Sequence, residues 1–201
     1  VFFGLTVSIS FVAWVVATLL FLTSFSKPIH SLGILVYPLS AIAVITAFLF
    51  PGTQGKLISM SIAAHAFLSI GAYALLTIAV AQSVLLSIQE RFLHEHNFNT
   101  FVDKLPALQT MEAFLYQTLK MGLLLLTLSL ISGYYYIDDF FTQKLTFKTI
   151  LSVIAWIGFA GILFGHKVFG WRGKLVTVST QTAFAILVLS YYGTKFFLEI
   201  A

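Results

Sequence analysis

The sequence predicts an all-α protein, a polytopic transmembrane helical bundle with six spans in this chain, and three observations predict it. Hydrophobic residues make up 59% of the 201 positions and charged residues 9%, against roughly 45–50% and ~25% in soluble domains; mean hydropathy is +0.99. The apolar residues fall in long runs close to the ~20 that a helix needs to cross a ~30 Å hydrocarbon layer. Turn chemistry gathers in the breaks between runs, at Lys27-Pro28, Pro51-Gly52, Leu105-Pro106, Gly133, and Gly170 with Gly173, as expected of helix ends.

Taken in order, the spans cover residues 2–25, 29–50, 57–89, 111–134, 147–166 and 175–197. Short connections place consecutive spans antiparallel and side by side. The fourth begins amphipathically: Leu108, Met111, Phe114, Leu115 and Leu119 recur at helical spacing with Gln109, Glu112, Gln117 and Lys120 between them, so an interfacial helix is expected to lead into it. There is no long repeat, low-complexity segment or linker, and residues 1–201 read as one bundle. Val1 stands at the edge of an apolar run with no signal peptide before it, and the expectation is that natural N-terminal sequence is missing.

The chain has no cysteine, which excludes a disulfide framework, a thiolate metal site and a catalytic thiol. A net charge of +4 with a pI near 9.3 would point to nucleic acid in a soluble protein. Here the basic residues lie in short loops beside apolar spans, where they set orientation, so the expected partner is the lipid bilayer and not nucleic acid. The loop at 166–174 carries Lys167, Arg172 and Lys174 without an acid, whereas the loop after Gly133 opens with Asp138 and Asp139. The first is therefore cytoplasmic and the second external; Lys27 and the connection at 90–109 fall inside, and 51–56 and both ends of the chain fall outside.

The third span organises the rest. Its stretch from Leu57 to Val80 has no charged side chain, and its polar groups Ser61, His65, Ser69, Tyr73 and Thr77 recur every four residues, a slowly turning ladder that should face other helices and not lipid. An ionisable side chain within a span is expensive and points to function. His65 sits eight residues in from Leu57, roughly 12 Å deep at ~1.5 Å per residue. Three readings stand side by side: a structural imidazole bonded to Ser61, Ser69 or a hydroxyl of another helix, a haem or metal ligand, and a proton relay. His166, at the cytoplasmic end of the fifth span, is either a helix-terminal imidazole near the last carbonyls or a haem ligand. The two histidines differ by roughly 18 Å in depth across a ~30 Å core, while two nitrogens on one metal must lie within about 4 Å of each other. One haem cannot use both.

Soluble-enzyme signatures are missing: no phosphate-binding glycine loop, no Gly-x-Ser-x-Gly elbow, and His94-Glu95-His96 lacks the His-Glu-x-x-His spacing. No catalytic residue is assigned and the chain is not expected to be an enzyme. That cytoplasmic His-Glu-His segment is either solvated or a metal clip. Trp171, 134–136 and 191–192 fit interfacial aromatic belts. Lys148, at the outer start of the fifth span, can snorkel or pair with a propionate, a lipid phosphate or Asp138.

Several strings together carry a resemblance: HAFLSIGAYALL at 65–76, LPALQTME at 105–112, LSVIAW at 151–156, His166 followed by GWRG at 170–173, and YYGTKF at 191–196. In that order they resemble the cytochrome c assembly membrane proteins of the CcsA/CcmC/HemX type, with the YpjD-like inner-membrane subgroup of bacteria most similar. The resemblance implies two further N-terminal spans, eight in all, in the bacterial inner membrane. It also implies that His65 matches an external haem-ligating histidine and His166 the histidine near the inner end of a late span, at different haem sites. The family pattern further includes a tryptophan-rich, aspartate-containing external segment, where this chain reads YYYIDDFF at 134–141, and a second external histidine after the last span, where it ends Leu198-Glu199-Ile200-Ala201. Some relatives of the subgroup have a histidine where this chain has Phe147.

The resemblance thus implies a haem-binding or haem-handling accessory inner-membrane protein related to cytochrome c biogenesis, without a complete haem-presenting site and not itself a lyase. Its cofactor would be haem b, with His65 as axial ligand and Tyr73 lining the pocket, and its partners other inner-membrane proteins. The alternative is a non-catalytic scaffold or regulatory subunit of a larger inner-membrane complex; a transporter would have to build its path from Glu112, Lys120 and the His65 ladder.

Overall fold

The computed structural model describes residues 5–25, 30–50, 60–94, 106–136 and 143–193. Within them the chain folds into α1 (Leu5–Ser24), α2 (His30–Leu49), α3 (Met60–His94), α4 (Leu108–Tyr136), α5 (Gln143–Phe169) and α6 (Lys174–Val188), the last continuing into a wider π-turn at Leu189–Gly193. The described residues contain no strand. Five helices are long and apolar enough to cross a membrane, and α1, with 20 residues, reaches about 30 Å. A polytopic helical bundle is therefore what forms. Lys27, the segment at 51–56, Glu95, His96, Asp138, Asp139 and the chain's last eight positions lie outside the described residues.

The third helix is the hub. With 35 residues it extends about 52 Å, well beyond a ~30 Å core, and it packs on α1, α2, α4 and α6, most extensively on α4. Side chains 72, 74, 76, 78 and 79 on it are buried. Small residues permit the close approach: a Cβ on Gly122 of α4 would lie 2.8 Å from Leu76 Cδ2, and one on Gly158 of α5 3.2 Å from the Ala183 methyl of α6. Lipid gives helices no hydrophobic reason to associate, so backbone proximity and polar ties must hold them. One such tie is Trp156 Nε1, which donates to Thr127 Oγ1 at 2.8 Å and pins α5 to α4. Another is fully buried Gln82, whose amide donates to the Met111 carbonyl at 2.6 Å.

Two departures of the helix boundaries from the sequence reading bear on the site, beside the extension of α5 to Gln143–Phe169. The third span continues to His94 instead of closing at residue 89, because Gln89 is tied to the Pro106 carbonyl at 3.2 Å and Arg91 and His94 fall in the last turn, where cations suit the helix dipole. The turn expected at Gly133 is absent: α4 runs through it to Tyr136, and Gly133 serves a packing purpose described below. The amphipathic lead-in at 108–119 belongs to α4 itself, with Met111, Phe114, Leu115 and Leu119 buried.

Charge sorts by end. Glu90 lies against Gly173, so the C-terminus of α3 and the α5–α6 hairpin share one end, which carries Arg91, Lys167, Arg172 and Lys174. Lys148 stands at the opposite end. This is the distribution expected of a cytoplasmic and an external face, named inner and outer below.

Candidate functional site

Two histidines were the candidates, and the structure separates them. At the outer end, His65 lies half-buried on α3 against α4. Its Nδ1 is 3.0 Å from the Ser129 carbonyl oxygen and 3.0 Å from Ser132 Oγ. The carbonyl can only accept, which favours the tautomer that carries its proton on Nδ1. Ser132 Oγ in turn donates to the same carbonyl at 2.9 Å. That arrangement leaves the lone pair on Nε2, which meets no hydrogen-bonding group among the described residues.

The ring has room because α4 offers a glycine there. A Cβ on Gly133 would stand 3.0 Å from His65 Cε1, tighter than most real contacts, so the imidazole lies flat on bare backbone. One turn deeper, Ser69 Oγ donates to the His65 carbonyl at 2.8 Å and lies 2.6 Å from Ser129 Oγ. With its proton committed, the Ser69 oxygen accepts from Ser129. The ring's own partners are thus Ser129 and Ser132, and not Ser69; the Ser61 side chain lies outside the described residues. Sequence reasoning offered Ser61, Ser69 or a hydroxyl of another helix as the partner, without locating the last. The Ser129, Ser132, Gly133 spacing, one turn on one face of α4, was the available signal.

Tyr73, two turns below His65, donates through its hydroxyl to the Leu187 carbonyl at 3.3 Å and meets Tyr191 edge-on at 5.7 Å between centroids. Lys148 Nζ lies 4.7 Å above the Tyr191 ring, a cation–π distance. Ser190 donates to the Lys148 carbonyl at 2.7 Å and lies 2.7 Å from Ser152 Oγ. The π-turn carrying Ser190 and Tyr191 therefore clamps α5 where Lys148 emerges; such wide turns recur at functional sites.

His166 occupies a different environment. Its Nδ1 donates to the Trp171 carbonyl at 3.1 Å and its ring stacks on Tyr116 at 3.5 Å. Tyr116 donates to the same carbonyl at 2.6 Å. The hairpin bends on Gly170 and Gly173, with φ of 67° and 62°, and the Gly173 amide donates to Glu112 at 3.2 Å. Since Ser129 lies 13 positions beyond Tyr116 on α4, the histidines are separated by roughly 20 Å along that helix. They cannot share a metal ion. Among the described residues, no three His, Cys, Asp or Glu side chains gather to hold a metal. A groove of about 200 Å³ opens between α1, α3 and α4, lined by Leu19, Leu75, Phe114 and Met121 among others, away from both histidines.

An imidazole fixed through Nδ1 with Nε2 presented can act as a neutral nitrogen ligand.

Comparison with known proteins supplies the family. The profile described as "Cytochrome C assembly protein" matches residues 3–201. The inner membrane protein YpjD of Escherichia coli K12 is 31% identical over 131 residues, which is 65% of this chain and 49% of that protein. An Azospirillum brasilense protein, described as an uncharacterized 28.8 kDa protein in the nifR3-like 5′ region, is 28% identical over 152 residues, covering 75% of this chain and 56% of its own length. The chain spans about half the length of these relatives. No solved structure is significantly similar. With the family profile matching almost the whole chain and multiple membrane-length helices in place, the chain belongs to the cytochrome c assembly protein family and is a multi-pass inner-membrane protein.

Proposed function

We propose that this protein is a haem-binding accessory component of cytochrome c biogenesis, holding haem b at its outer face through His65 without acting as a lyase. The observation that carries the reading is the His65 imidazole, whose Nδ1 is occupied by the Ser129 carbonyl at 3.0 Å so that Nε2 keeps its lone pair. A carbonyl bonded to the opposite ring nitrogen raises ligand basicity and fixes ring orientation. Haem, when bound, supplies an iron that accepts that lone pair. This chain's own residues orient the imidazole from α4, wall the site with Tyr73 and Tyr191, and bring a cation through Lys148.

His166 is assigned a different role within this reading, as a fastener of the inner hairpin, because its ring nitrogen and face are engaged by Trp171 and Tyr116. The family pattern's external tryptophans have no counterpart at 134–141, which supports an accessory that holds haem without presenting it. The same departure favours the second reading, a scaffold for other inner-membrane proteins. Titration of the purified protein with haemin separates them. The first reading expects a saturable Soret band that His65→Ala abolishes. An inner-membrane partner that copurifies equally with wild type and with His65→Ala, in the absence of any Soret band, selects the scaffold.

A further inference from the structure

We propose that the outward face of α4 around Lys120 is a docking surface for a transmembrane helix of another inner-membrane protein, one that carries a carboxylate in the inner half of its span. The inference goes beyond the reading of His65 and does not depend on haem.

The inner boundary is fixed by a contact: Glu112 of α4 accepts the Gly173 amide just before α6. From there the α6 span, Lys174 to Tyr191, runs 18 residues, about 27 Å along a helix, which matches a ~30 Å hydrocarbon core. Lys120 lies eight positions beyond Glu112 on α4, so its backbone is roughly 12 Å inside that boundary. Among the described residues it is the one Asp, Glu, Lys or Arg between the levels of Glu112 and Lys148. It is also exposed, and no hydrogen bond or ion pair with another described residue holds it.

An ammonium at that depth is costly against lipid. Helical side chains lean toward the helix N-terminus, here the inner end, so the lysine stem recovers part of the depth but not all of it. Lipid phosphate stands outside the hydrocarbon, whereas a carboxylate on a neighbouring helix is carried to the level of the ammonium by that helix's own backbone. Ionisable groups within a membrane are compensated by such pairs.

The surface around Lys120 has the form of a helix seam. Met121, Leu124, Leu128 and Ile131 are exposed and recur at three and four along α4, the heptad spacing of helix pairs that cross near +20°. The groove of about 200 Å³ between α1, α3 and α4 opens beside this seam and shares Met121 with it, a recess for a side chain of the incoming helix. A second copy of this chain does not supply the carboxylate: Glu90 and Glu112 stand at the inner end, and no acid lies deeper in any described helix. The occupant is therefore a different protein.

The test places the full-length protein in phosphatidylcholine vesicles with fluorescent polyleucine transmembrane peptides that carry one Glu, Gln or Lys at a depth of about 12 Å. Energy transfer reads binding. Wild type is expected to bind the Glu peptide roughly five- to tenfold more tightly than the Gln peptide, the scale of one polar contact between membrane helices. Lys120→Met and Lys120→Gln should erase the difference by weakening the Glu peptide alone, and Lys120→Glu should transfer the preference to the Lys peptide. Equal binding of the Glu and Gln peptides by wild type, as when the protein's own flanking sequence covers the face, overturns the proposal. A preference unchanged in Lys120→Met does the same, as does wild-type self-association that Lys120→Met abolishes. Phosphatidylglycerol retained by wild type in native mass spectra and lost from Lys120→Met, without any peptide preference, assigns the face to anionic lipid and also overturns it.

Discussion

Gly133 of α4 lies directly beneath the imidazole of His65 on α3, so close that a Cβ would stand 3.0 Å from Cε1 and 3.5 Å from Nδ1. The glycine is buried within a helix that runs on to Tyr136, and its missing side chain is what allows Nδ1 to reach the Ser129 carbonyl. Gly133→Ala should displace the ring and lower stability by about 1–3 kcal/mol, the usual cost of overpacking. Thermal unfolding in detergent reads the effect. Combining Gly133→Ala with His65→Ala should remove most of the penalty, since the methyl then meets no ring; an equal penalty in both backgrounds would dissociate Gly133 from His65.

The α3–α4 contact makes a second expectation, independent of any ligand. Leu76 is fully buried, and a Cβ on Gly122 would lie 2.8 Å from its Cδ2 and 2.9 Å from its Cγ. Gly122→Ala should therefore destabilise the bundle by about 1–3 kcal/mol, and Leu76→Ala should offset part of that loss in the double variant. Strict additivity of the two changes in a double-mutant cycle would contradict the contact.

At the inner end, one carbonyl takes two donors: Tyr116 and His166 both bond the oxygen of Trp171. Tyr116→Phe should cost about 0.5–1.5 kcal/mol, the net worth of a hydrogen bond. Gly173→Ala should cost about 1–3 kcal/mol, because a φ of 62° with a ψ of −141° is a backbone conformation open essentially to glycine alone, and Glu90 stands in the way of the new methyl. Both variants should speed tryptic cleavage at the exposed residues Arg172 and Lys174. Cleavage rates equal to wild type would show that these contacts do not hold the hairpin.

Much of the fold was legible in the sequence because membrane spans announce themselves by length and lack of charge. The six runs became six helices, the Gly170 and Gly173 turn has the backbone its glycines suggested, and the third span is the hub that its polar ladder implied. What sequence could not supply were pairings between helices. The Ser129 and Ser132 partners of His65 lie more than sixty positions away, and local periodicity carries no information at that distance. Gly133 was misread as a break because a buried glycine that admits a ring and a glycine that ends a helix look alike in one dimension. The depth difference between the two histidines was legible, since it follows from counting residues at a fixed rise. The stacking of His166 on Tyr116 was not, because it depends on how α5 leans on α4.

The central claim is that His65 alone supplies this chain's axial nitrogen at the outer face, while His166 fastens the hairpin some 20 Å away along α4. Visible absorption spectra of haemin-loaded wild type, His65→Ala and His166→Ala, recorded side by side, test it most directly. The account predicts a Soret band in wild type that persists unchanged in His166→Ala and is lost in His65→Ala. A spectrum that survives His65→Ala, or one lost equally in both variants, would contradict it.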